Sequence, residues 1–473
     1  MCSTQSFGDI HFGAAPLGHK KRVACLVKIA NLIHRHPGGT LPDKLHVPKH
    51  YKAMDRLMNR PEVTHESVLA AHHLHTLERM KHTPIVLIIH DTTELDYSGL
   101  HSITDLSSIG NGPGRGLLCH NSLAFDPQQN EVIGLANQVL HRRRLVGKNE
   151  GVKAKRERED RESLLWLQGA ATIDKAPDNC LWVHVADRGS DTFEYMADMI
   201  DKGKSFLSRS STTRRILLGH DAVVGETDDD APRHYLHKHI RSLPLLSERK
   251  VDVPAKPGQK KRTAKVGVSF AAVRIMPPHK RRGNWERKLL TVWVVRVAEI
   301  DPPKGVTPLE WILVTNVPTT TNAEADTRVT WYESRWVIEE YHKAKKTGCG
   351  IETLQFTSSQ ALEPMIALLS VVAITLLNLR EASRRPDAKE RPATDFVDAE
   401  YVEVLSAWRH DTVKPNWSVH DFFFALARLG GHQNRKNDRR PGWLVLWRGW
   451  MALQHMVAGA TATGTGYGYK SRG

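Results

Sequence analysis

The 473-residue chain has only five cysteines, Cys2, Cys25, Cys119, Cys180 and Cys349, an odd number with no C-x-x-C pair. That argues against a disulfide framework or a cysteine-built zinc site, and reduced thiols are expected. Histidine is plentiful, but His72, His73 and His75 have no cysteine or second histidine pair at zinc spacing, so they are expected on a helix surface or in a core. Long apolar runs are also missing. The longest, Met365 to Leu377, is too short to span a bilayer and contains Ser370 and Thr375. It reads as a buried core helix, and no membrane partner is expected. The first residues, Met1-Cys2-Ser3-Thr4-Gln5, lack a basic stretch followed by an apolar one, so no secretory leader and a cytoplasmic location are expected. No RNA-binding signature such as an RRM aromatic motif is present. Acidic residues are in deficit, 52 against 67 lysines and arginines, for a net charge of +15. Such a surface attracts polyanions, DNA among them.

The most informative segment runs from Trp331 through Glu339 and Glu340 to Lys346 and Gly348. At about 100° per residue, Tyr332, Arg335, Glu339 and Lys346 fall within an arc of roughly 60°. Glu340 points roughly 80° away from Tyr332 on the same arithmetic, which favours Glu339 as the working acid. A stripe of this kind joins a metal-ligand type to three phosphate-seeking donors. The plain alternative is a solvated charged face.

Two aspartates upstream alter that balance. The apolar run Ile85 to His90 ends in Asp91-Thr92-Thr93, and Leu181 to Ala186 ends in Asp187-Arg188-Gly189. Each aspartate is expected at a strand exit, where open sheets place their ligands and a carboxylate avoids the cost of burial. Asp187 has a simpler reading as the start of a turn before the next helix. Three carboxylates on separate elements suit hard magnesium ions, which take oxygen ligands.

The order Asp, Asp, Glu, with Y-x2-R-x3-E-x6-K at Tyr332, Arg335, Glu339 and Lys346, resembles bacterial DDE transposases of the insertion-sequence-four family, the group that includes the transposon-five type. The likeness extends to Phe12-Gly13 and Leu17-Gly18, Pro37-Gly38-Gly39, Glu131 to Ala136, and Pro441-Gly442-Trp443 with Trp447-Arg448-Gly449-Trp450. The resemblance implies an α/β fold, a ribonuclease-H-like catalytic core interrupted by a β-rich insertion, with helical N-terminal and C-terminal domains. Strand-hairpin then alternating helix and strand agrees with such a core.

The expected divisions are a helical DNA-end-binding domain over 1–79, core over 80–211, β-rich insertion over 212–300, core again over 301–378, and a helical dimerisation region with a disordered tail over 379–473. In the first, Val23, Leu26, Val27, Ala30 and Ile33 form an apolar stripe on a basic helix from His19 to His36. By resemblance, Lys21 and Arg22 there contact the terminal repeats. Basic turns at Lys256–Arg262 and Pro277–Gly283 are expected to meet phosphate. Composition makes Trp311 a core residue, whereas the resemblance implies that it stacks on a flipped base. Trp443, Trp447 and Trp450 share a helix face; they form either a local core or, by resemblance, dimer anchors.

The implied activity is cut-and-paste DNA transposition. Asp91, Asp187 and Glu339 would bind two Mg2+ ions, with Mn2+ substituting, while Tyr332, Arg335 and Lys346 hold DNA phosphates. The implied partners are transposon ends, target DNA and a second copy of the chain in a synaptic complex, in the cytoplasm at the bacterial nucleoid. Two alternatives stay open: a nuclease of the same fold that never joins strands, and a catalytically silent end-binding regulator.

Overall fold

The computed structural model describes residues 5–144, 151, 158–218, 234–253, 262–278, 288–435, 438 and 440–463. The chain opens with helices Phe7–Phe12, Lys20–Arg35, Leu41–Leu45, Pro48–Met58 and His65–Lys81. Lys20–Arg35 starts where the His19 ring accepts the Lys21 amide, and it buries Leu26, Ile29, Ala30 and Ile33. That face is rotated slightly from the expected stripe: Ile29 is buried, while Val23 and Val27 are only half-buried.

Strand β1 (Ile85–Asp96) follows, and its apolar half is covered on both sides. Leu87 and Ile89 enter the main core, while Val86 and Ile88 face a second cluster with Met80, Ile133 and Trp182. This is the alternation of a strand inside a layered α/β fold. After the short β2 (Ser107–Ser108), β3 (Arg115–Asp126) and β4 (Glu131–His141) form an antiparallel hairpin. Asp126 Oδ1 accepts the Gln128 and Gln129 amides at 2.8 and 3.0 Å to shape the turn. Helix Leu165–Ala171 leads to β5 (Leu181–Ala186), and helix Phe193–Asp201 leads to β6 (Ser205–Arg209). β3 lies antiparallel to β1, whereas β5 and β6 continue the sheet in parallel.

Next come β7 (Arg215–Leu218), β8 (His234–Tyr235), helix Leu236–Ser242, β9 (Ser247–Val253), β10 (Arg262–Ile275), β11 (Leu290–Glu299) and β12 (Glu310–Thr315). The β-rich segment is not a separate layer. β12 pairs with β6 on one side and β11 on the other, so among the described residues these strands extend the same 12-stranded mixed sheet. Most of the two basic turns lies outside the described residues. Arg262, at the end of the first, is ion-paired to Glu299.

Helix Ser359–Ala382 packs across the main core, with Tyr341 Oη donating to the Ser370 carbonyl at 2.8 Å. At 24 residues it is longer than the apolar run suggested and apolar enough to cross a membrane, but its apolar window is 82% buried inside the fold. Helices Ala399–His410, Val419–Leu429 and Trp443–Thr463 form the C-terminal cluster. Trp450 stacks on Tyr401 with ring centroids 5.3 Å apart, and Trp443 and Trp447 pack against the same cluster. Trp450 is thus part of a local core, with Trp443 and Trp447 half-buried against it. Gly449 is needed because a Cβ there would collide with the Leu426 carbonyl of the facing helix. The last helix runs on to Thr463, into the region expected to carry a disordered tail; residues 464–473 lie outside the described set.

Candidate active site

The parallel pairing of β1 and β5 ends at His90 opposite Ala186, so Asp91, still on β1, and Asp187, just past the end of β5, follow the last paired residues. Asp91 is not at a strand exit as expected. Strand β1 runs on to Asp96 because Thr92 to Asp96 pair with β3. Its carboxylate is therefore 19% exposed, and burial pushes it up to about 7, with Asp187 and Glu339 adding repulsion against the opposing pull of Arg335. Asp187 does form the turn that was its simpler reading: its Oδ1 accepts the Gly189 amide at 2.9 Å, capping the turn Arg188–Ser190. Gly189 lies flat against Trp166, where a Cβ would clash.

Glu339 arrives from the other side of the core. The expected single helix through Tyr332 and Lys346 is instead two helices and a wide turn: Asn322–Glu333, Trp336–Lys343 and the π-turn Ala344–Gly348. The break falls at Ser334, whose hydroxyl bonds back to the Thr330 carbonyl at 3.1 Å. The amides of Arg335, Val337 and Ile338 then bond three residues back instead of four.

Despite the break, Tyr332, Arg335 and Glu339 stay together. Arg335 Nη2 bonds Glu339 Oε1 at 2.7 Å, and its Nη1 lies 3.8 Å from Asp91 Oδ2. Glu340 faces away, holding Arg380 at 3.1 Å, Lys343 at 3.0 Å and the Trp443 indole. Lys346 leaves the group, because the π-turn carries it to Glu352 at 3.0 Å.

Trp311 is 7% exposed and meets Tyr332 edge-on at 5.2 Å, so in this conformation it offers no open face to a base. An exposed indole at this end of the helix is Trp336, at 39%, under the Arg335 guanidinium. Lys21 is exposed, whereas Arg22 is held by Glu62 at 2.9 Å and by the Leu17 carbonyl at 2.8 Å.

Sequence reasoning missed several neighbours. Arg209 lies within electrostatic reach of Tyr332, Arg188 and Arg335. Burial raises the Tyr332 hydroxyl, against the pull of Arg335 and Arg209. His342, three residues after Glu339, puts Nδ1 3.8 Å from Asp91 Oδ2, and Asn121 sits opposite Asp91 in the β1–β3 register. Only the i+3 spacing of His342 was a signal in the sequence.

Residues 168–376 match the family model of the transposase DDE domain. The matched stretch contains Asp187, Glu339 and the whole of the strand extension, while Asp91 lies upstream of it. The match supports a DDE transposase, and hence a metal-dependent enzyme acting on DNA. DDE transposases use divalent metals, and the donor set here fits one in chemistry: hard oxygens on three elements, one of them a carboxylate that burial holds back from ionising. It is not a ready-made cage. Among the described residues no three such side chains are grouped closely enough to hold a metal, and the Arg335 guanidinium supplies the positive charge between Asp91 and Glu339.

Proposed function

We propose that this chain is a cut-and-paste DNA transposase whose catalytic carboxylates are Asp91, Asp187 and Glu339. The observation that carries the reading is the adjacency of Asp91 and Asp187 at the end of the parallel ladder, with Arg335 tying Glu339 to them. A ribonuclease-H-like core is supported by the strand order β4-β3-β1-β5-β6, two antiparallel pairings followed by two parallel ones. The three carboxylates would hold two Mg2+ ions, with Mn2+ substituting, and bound metal would activate water and stabilise the charge of the phosphoryl transition state.

The remaining roles belong to this chain's side chains. Arg335, with its forked guanidinium, would exchange Glu339 for a DNA phosphate, and Tyr332 and Arg209 would line the same strand. Lys346 would reach a different phosphate, beside Glu352. In the proposed sequence water attacks the phosphorus at the element's end and the 3′ oxygen leaves as a hydroxyl. That hydroxyl attacks a phosphorus of the opposite strand, displacing the 3′ oxygen of the flanking DNA and forming a hairpin; water reopens the hairpin and frees the hydroxyl again, which then attacks a target phosphorus and displaces a target 3′ oxygen. The N-terminal helices with Lys21 are proposed to read the ends, and a dimer to hold two of them at the bacterial nucleoid.

The test is a purified-protein assay with DNA bearing the native element's termini. Mg2+-dependent cleavage and joining are expected, and both should vanish in Asp187→Asn while end binding persists. Cleavage without joining would favour the nuclease; binding without cleavage, the silent regulator.

A second expectation separates the two tryptophans. Trp336→Ala should weaken the complex with a cleaved end by ~1–3 kcal/mol, the worth of one stacked base, without lowering the melting temperature. Trp311→Ala should instead cost about 3–5 kcal/mol of folding stability. Loss of binding in Trp311→Ala alone, at unchanged stability, would return the stacking role to Trp311.

A further inference from the structure

Beneath Asp91 lies a buried polar network that the proposed chemistry does not use. Its hub is Asn121, fully buried on β3 and directly opposite Asp91. Asn121 Oδ1 accepts from Lys345 Nζ at 2.9 Å and from Gln138 Nε2 at 2.7 Å. Its Nδ2 donates to the Cys119 carbonyl at 3.0 Å and meets His342 Nε2 at 3.2 Å.

Lys345 is also fully buried, and an ammonium donates hydrogen bonds but accepts none. The reversed amide would set its NH2 group against that ammonium, so Lys345 decides which end of Asn121 faces His342. That end is the NH2, which only donates. His342 Nε2 must therefore accept, leaving the ring hydrogen on Nδ1. Nδ1 faces Asp91 Oδ2 at 3.8 Å, roughly 0.6 Å beyond the outer N–H···O range. A buried lysine donor thus sets an amide, the amide sets a tautomer, and the tautomer aims an N–H at the carboxylate.

We infer that His342 is a positioning residue for Asp91, held as the Nδ1–H tautomer by Lys345 and Asn121. The inference rests on the reading of Asp91 as a metal-binding carboxylate. Outer partners of this kind orient the ligand and are worth about 10–100-fold in metal affinity or activity.

The experiment measures Mn2+ binding to the full chain by electron paramagnetic resonance without DNA, and end cleavage alongside. Wild type and Asp91→Asn set the baseline. If wild type binds no Mn2+, or Asp91→Asn binds it equally well, the active-site reading falls and takes this inference with it. On a sound baseline, His342→Gln, which keeps an amide near the Nε2 position, should lose ~10–100-fold in both measurements. His342→Asn, which keeps an N–H where Nδ1 stood, should be rescued to within ~3-fold of wild type. Asn121→Asp, isosteric but purely accepting, draws the proton to Nε2 and should reproduce the His342→Gln loss. Equal effects of Gln and Asn at position 342, or full Mn2+ affinity in Asn121→Asp, would overturn the inference.

Discussion

Glu339→Gln is expected to lose Mg2+-dependent cleavage of element ends by ~10³-fold or more, whereas Glu340→Gln retains it. The neighbours differ because the helix turns them about 100° apart. Glu339 faces Arg335 and Asp91, and its bond to Arg335 is replaceable by a phosphate. Glu340 is committed to Arg380, Lys343 and Trp443, joining the core to the C-terminal cluster. Loss of its charge should therefore show in stability instead: removing one partner of a half-buried network costs about 1–3 kcal/mol. Burial and the Arg380 and Lys343 charges bear on Glu340 in opposite senses, and the net effect holds its carboxyl below the usual range. The paired readout is cleavage rate and melting temperature. Equal cleavage by both variants would mean that Glu339 is a solvated charge and that the catalytic reading of this site is wrong.

The placement of Asp91 and Asp187 beside each other was legible because each follows a short apolar run of strand length, and the ribonuclease-H-like core implied by the resemblance sets those two runs on neighbouring strands. The extent of β1 was not. Thr92 to Asp96 look like a loop until β3 pairs with them, and those partners, His120 to Gly116, are distant in the chain. Helical arithmetic correctly kept Glu339 apart from Glu340 over a short distance. It failed at Lys346 because Ser334 and the π-turn each change the rotation per residue. The tryptophans at 443, 447 and 450 share a face as their spacing required, but spacing cannot say what covers a face, and here Tyr401 and its cluster do. The network under Asp91 was invisible for a similar reason: Asn121, Gln138, His342, Lys345 and Ser370 come from separate elements, and only the finished core brings them together.

Below about pH 6 the protein should lose stability steeply, through a ladder of histidines on the opposite face of the sheet from Asp91. His120, His90 and His184 stand on β3, β1 and β5 with their rings stacked, centroids 5.5 and 5.1 Å apart. His90 Nε2 meets His184 Nδ1 at 2.8 Å, Ser122 Oγ meets His90 Nδ1 at 3.0 Å, and Thr92 Oγ1 meets His120 Nδ1 at 2.9 Å. Burial lowers His120 and His184 to about 3, and lowers His90 well below its ordinary 6.5, with His184, His120 and Lys204 adding repulsion there. Because the folded values lie below the unfolded one, the neutral rings favour folding above pH 6.5. That contribution is lost as pH falls toward 3, by about 1.4 kcal/mol per pH unit for each histidine. Three together would lose about 4 kcal/mol per unit, enough to unfold an ordinary domain within two or three units. Urea unfolding between pH 7.5 and 4.5 measures the slope directly. His120→Gln and His184→Gln should each lower stability at pH 7.5, because they disturb the ladder, yet flatten the acid limb by about one proton. An acid limb as steep in these variants as in wild type would assign the proton uptake elsewhere, first to His11, His34 and His73 among the N-terminal helices, which burial also depresses.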